Sequence, residues 1–136
     1  MDGQLSRAIA PVLRDLQATG APRPVIESSD WQPAEDAESA LLRSPDGSAM
    51  GVWVDTGASA AYQISRLSDQ VQEWVIEELA GLGRPTNWPP CPHHSDTHPM
   101  AATADGERAV WTCPKSGAVV SEIGLLSEVP PVTREP

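Results

Sequence analysis

Two cysteines and all three histidines of this 136-residue chain fall between positions 91 and 113, in the segments CPHHSDTHP and WTCPKSG. Thiolate and imidazole together are the ligand chemistry of zinc, which takes four such donors at tetrahedral corners, all from protein when the site is structural. Cys91 is followed after two residues by His94, after three more by His98, and after fourteen by Cys113. This spacing predicts a Cys2His2 site with Zn2+ as its cofactor. Two intervening residues suit a tight knuckle, so His94 is preferred to His93, which remains the alternative ligand. A Cys91–Cys113 disulfide is the competing use, but in a reducing compartment paired cysteines accompanied by histidines are better explained by metal.

Cys91-Pro92-His93-His94 and Cys113-Pro114-Lys115-Ser116-Gly117 resemble the two facing knuckles of a zinc ribbon, each of the form CPxC and often followed by Gly. The resemblance spans about residues 88–124 and implies a structural zinc held between short hairpins, while implying nothing about task. Ser116 stands where a ribbon places its second knuckle cysteine, and His98 is assigned in its stead. A catalytic variant would use Cys91, one histidine and Cys113 with Asp96 as base. That set is similar to zinc deaminases in ligand type only, because their H-x-E and PCxxC arrangement is missing.

Other chemistry finds less support. Asp55-Thr56-Gly57 matches the aspartic-protease tripeptide without that fold's strands, and reads instead as a turn. No GxxxxGK[ST], GxGxxG or GxSxG sequence occurs, so neither phosphate cradling nor a serine nucleophile is indicated.

The elements that would carry the site follow from periodicity. Leu5, Ala8, Ile9, Val12, Leu13 and Leu16 predict a helix over 4–18, with Pro11 expected to kink or restart it. Val25 and Ile26 suggest a short strand, 38–43 and 49–54 a hairpin around Pro45-Asp46-Gly47, and 60–64 a further strand. Leu67, Val71, Trp74, Val75, Leu79 and Leu82 predict a helix over 68–82, begun by Ser68 or Asp69 with Gln72 completing a capping box. After the proline-rich RPTNWPP, strands are expected at 100–104, 109–113 and 118–123. Trp53, Trp74 and Trp111 are core candidates, Trp88 is placed between the two halves, and Trp31 is left between packing and exposure.

The fold class expected is therefore α+β: helix, antiparallel hairpin or meander, helix, and then a small zinc-bound hairpin module. Residues 1–83 form the first domain, 84–90 a linker, 91–126 the ribbon-like module and 127–136 a disordered tail. The net charge of −10 is concentrated in residues 1–83, which hold 13 acids against 5 arginines. Nucleic acid and anionic membrane are poor partners for such a chain, since both require a basic face. No apolar run spans a bilayer and the first residues lack a signal-peptide pattern, so a cytoplasmic protein is expected. The reading is a zinc-binding adaptor whose partner is another protein. A small acidic chaperone or immunity-type protein holding a basic partner is the first alternative, its element order resembling that of secretion chaperones, and a zinc-dependent hydrolase is the second.

Overall fold

The computed structural model describes residues 3–31, 35–94 and 98–126. Asp96 and the tail at 127–136 lie outside them. The order is α1 (Gln4–Thr19), β1 (Val25–Ser28), β2 (Ala37–Arg43), β3 (Ala49–Asp55), α2 (Ala60–Gly81), β4 (Ala101–Asp105), β5 (Arg108–Thr112) and β6 (Val119–Glu122). The strands form two antiparallel meanders, β1-β2-β3 and β4-β5-β6. This is the α+β class that the periodicities predict.

The first helix begins on a carboxylate borrowed from the sheet. Glu38 of β2 accepts hydrogen bonds from the backbone N–H groups of Gln4 (3.2 Å) and Leu5 (3.0 Å), placing negative charge at the helix N-terminus, where the macrodipole favours it. A Cβ on Gly3 would collide with that carboxylate. The helix does not restart at Pro11; α1 runs unbroken from Gln4 to Thr19. Pro11 is buried, and its ring packs against the backbone of Gly124, where an added Cβ would come within 3.1 Å of the proline Cβ.

The second helix starts eight residues earlier than its apolar stripe indicates. Residues 60–64 are its first turn rather than a strand, and Ser59, not Ser68 or Asp69, is the cap, its hydroxyl accepting from the Tyr62 N–H. A five-residue stretch such as 60–64 cannot distinguish the two periods, and a cap with good geometry decides it. Gln72 has no capping role: it lies mid-helix, buried, and its amide donates to the carbonyls of Trp88 (3.0 Å) and Met100 (2.6 Å).

Along β3, Val52 and Val54 face the interior, so pleat alternation turns Trp53 outward. Trp53 is 38% exposed and is not a core residue. The Asp55-Thr56-Gly57 segment is a turn, with the Asp55 carboxylate accepting from the Gly57 N–H.

Buried side chains from both halves make one cluster, running from Leu5, Val12 and Leu16 through Leu42, Val52, Val71 and Trp74 to Trp88, Cys91, Met100, Trp111 and Cys113. The tryptophans satisfy their N–H groups within it. Trp74 donates to Ser44 Oγ, Trp88 to Thr19 Oγ1, and Trp111 to Asp15 Oδ2. Trp88 and Trp111 meet edge to face at 5.6 Å.

Asp15 of α1 is completely buried. Besides Trp111 Nε1 at 2.7 Å, it accepts from the backbone N–H groups of Gly124 at 2.8 Å and Leu126 at 3.1 Å. Burial pushes its carboxyl above the ordinary 3.8; the bonds from Trp111, Gly124 and Leu126, with Arg14 nearby, pull it partly back. Leaving buried donors unpaired costs about 1–3 kcal/mol each, so Asp15→Leu should lower the unfolding free energy by about 3 kcal/mol in urea titration and Asp15→Asn by less. Because the folded-state pKa is raised, the carboxyl's own contribution is fully present below 3.8 and fades as pH rises through the folded value. The stability gap between wild type and Asp15→Asn should therefore widen on acidification; a gap that narrows would mean that the three donors outweigh burial.

Candidate metal centre

The site is assembled by two turns and one short pairing. In the first turn the His94 N–H donates to the Cys91 carbonyl at 3.1 Å. Pro90 and Pro99 then form an isolated antiparallel bridge, with the Met100 N–H donating to the Pro89 carbonyl at 2.8 Å. That bridge folds His98 back alongside Cys91. Past the end of β5, the Gly117 N–H donates to the Cys113 carbonyl (2.7 Å) and the Cys113 N–H to the Ala118 carbonyl (2.9 Å), closing the second turn. Gly117 adopts φ 76° there, which favours glycine.

These turns bring one donor atom from each of Cys91, His94, His98 and Cys113 within 4.8 Å of one another. His94 Nδ1 stands 3.6 Å from the Cys91 sulfur and 3.5 Å from the Cys113 sulfur. Zinc bonds of about 2.3 Å to sulfur and about 2.0 Å to nitrogen, at a tetrahedral angle, put such atoms about 3.5 Å apart. The two His94–sulfur separations therefore match those of a zinc-sized ion, and the other donors lie close enough to complete the set. His93 is exposed and outside the cluster, its ring centre 6.4 Å from that of His94.

His98 is held in the tautomer that a ligand needs. Its Nδ1 lies 3.1 Å from the Pro99 carbonyl, which can only accept, so Nδ1 carries the proton. The lone pair is then on Nε2, which is buried and has no hydrogen-bond partner among the described residues. A buried, unpaired imidazole nitrogen costs free energy unless something fills that position, and a second contact that orients a histidine ligand is typical of metal sites.

Ser116 has a use that its place in the knuckle conceals. Its hydroxyl, foremost, and then its backbone N–H bond to the Cys113 sulfur; with the Lys115 N–H and the Cys91 thiol they outweigh the opposing effect of burial and hold the Cys113 thiol down at about 6. Standing where the zinc-ribbon resemblance would place a second knuckle cysteine, Ser116 supplies hydrogen-bond donors that stabilise the Cys113 thiolate. The residue type gives no signal of this in the sequence; only its position three residues after Cys113 does.

Among the described residues no helix is long and apolar enough to cross a membrane. No protein-family model, curated protein or solved structure matches the chain.

In metal-free protein, Ser116→Ala should move the Cys113 titration, followed by thiolate absorbance, upward from about 6 toward 9. The depressed value implies a thiolate over the neutral range, its stabilisation present above the ordinary thiol pKa and lost as pH falls through about 6. An unchanged titration would remove Ser116 from the site.

Proposed function

We propose that Cys91, His94, His98 and Cys113 hold one structural Zn2+ in a protein that acts as a binding or adaptor module. The observation that carries this is the gathering of four soft and borderline donors within 4.8 Å, with His94 Nδ1 at tetrahedral separation from both of the fully buried cysteine sulfurs. Two thiolates and two imidazoles select zinc over the oxygen-loving Mg2+ and Ca2+. Four protein ligands also leave no open coordination position, and metal-assisted hydrolysis requires one. This favours a structural reading over the hydrolase alternative.

When bound, the ion would cross-link Cys91, His94 and His98 to Cys113 at the end of β5. The chain's own residues account for where that link sits: Cys91, Met100 and Cys113 belong to the buried cluster shared with both helices. Metal binding and folding of the C-terminal meander are then thermodynamically linked. The pairing of thiolates with neutral imidazoles adds no net charge, so the acidic character persists in the loaded protein, as suits a partner of opposite charge.

Elemental mass spectrometry of the purified wild type should find about one zinc per chain, with Cys91→Ser and Cys113→Ser each losing most of it and melting at lower temperature. A chelator added to wild type should lower the melting temperature in the same way. Wild-type protein purified without metal, or retaining full zinc in both variants, would overturn the assignment.

A further inference from the structure

The outer face of the first sheet combines features that the metal site does not explain. Val52 and Val54 point inward, so Gly51, Trp53 and Asp55 lie on the opposite face, and the register sets Leu41 against Gly51 and Ser39 against Trp53. Trp31 belongs to this face as well. Its ring rests on Gly51 so closely that a Cβ there would come within 2.8 Å, and its N–H donates to the carbonyls of Ala40 (2.9 Å) and Val52 (3.1 Å). The ring is thus held by polar anchors while remaining 40% exposed; Trp53 beside it is 38% exposed. Two large aromatic rings left in water on one sheet face mark an interaction surface.

The charge around the rings says what would cover them. Asp30 and Asp36 are exposed at its margin and Asp55 lies in line with Trp53, within the part of the chain that carries 13 acids against 5 arginines. Of the bordering cations, Arg43 is spent on Glu27, bonded through both Nε and Nη2 at 2.9 Å. Arg66 of α2 lines, with Trp53, Asp55 and Tyr62, a small cavity of about 70 Å³ at the Trp53 end of the face. Aromatic rings with carboxylates at their margin suit a cation that stacks on the ring while its charge meets the acids.

We infer that this face, Trp31 and Trp53 with Asp30, Asp36 and Asp55, binds an arginine- or lysine-rich extended segment of a partner protein. This names the partner class of the binding module proposed above and rests on that reading. Guanidinium or ammonium groups lie over the two indoles, and the intervening side chains meet Leu41, since Gly51 is covered by the Trp31 ring. Strands β1 to β3 supply a rigid platform because Trp31 bridges β2 and β3 through its N–H.

The test uses full-length protein and a synthetic decapeptide alternating arginine and valine, with the glutamate-for-arginine peptide as control. Titration should show saturable binding of the arginine peptide, weakened by salt, with amide shifts confined to residues 25–31, 37–43 and 49–55. Trp53→Ala should weaken binding by about tenfold, the scale of one desolvated cation–aromatic contact. Asp30→Asn with Asp36→Asn, exposed changes that leave the core intact, should weaken it several-fold and flatten the salt dependence. Absence of saturable binding, equal binding of the glutamate peptide, shifts spread over Glu73 and Glu77 of α2, or unaltered affinity in either variant would overturn the inference. Shifts on this face that depend on protein concentration without peptide would assign it to a second copy and overturn it too. Zinc content measured on the same samples separates the outcomes, since loss of the metal assignment leaves the peptide result standing and the reverse.

Discussion

The buried carboxylate of Asp15 is the constraint on which the arrangement of the halves turns. It sits in the first helix yet accepts from Trp111, Gly124 and Leu126, separated from it by 96, 109 and 111 residues. Taking a carboxyl group out of water is unfavourable unless donors replace the solvent. Three N–H groups from the C-terminal meander supply them, so that segment and α1 must be together for either to be satisfied. Pro11, one turn earlier, offers a flat surface to Gly124 at the same junction.

The candidate metal centre hangs from this junction. Trp111 donates to Asp15 from β5, the strand that leads directly into Cys113, and it packs edge to face on Trp88. Trp88 in turn donates to Thr19, and its carbonyl, with that of Met100, is held by Gln72 of α2. The segments that carry the donors, around Cys91, His98 and Cys113, are therefore anchored to the helices by buried hydrogen bonds close to the donors themselves. Donors positioned by such packing need little rearrangement to meet an ion, which is the condition for a rigid structural site.

The same economy does not extend to the outer face of the first sheet. There, Trp31 has its N–H fully used by two strand carbonyls but leaves much of its ring in water, and Trp53 opposes only a serine. At the β3 edge, by contrast, the Gln70 amide of α2 accepts from the Trp53 N–H and donates to its carbonyl, occupying two of the backbone groups that another strand would use.

Much was legible in the residues themselves. The Cys and His spacing singled out the four donors that the fold gathers, because ligands drawn from two short turns must lie close in sequence within each turn. The apolar stripes gave α1, the core of α2, and the hairpin strands, since a 3.6- or 2-residue period is a local property. Tertiary structure alone decided the rest. Asp15 and Gln72 look like ordinary polar helix residues, and their roles exist only because distant donors and carbonyls arrive there. Trp53 and Val52 are equally apolar neighbours, and which one is buried depends on the face that the sheet turns to the helices. Residues 60–64 became helix because Ser59 caps the chain, a competition between two weak local preferences that packing of Ala61, Gln63 and Ser65 resolves. Sequence by itself determined which atoms could bind a metal and which stripes must be hidden; the long-range hydrogen bonds of buried polar groups, which carry no periodicity, determined how those pieces meet.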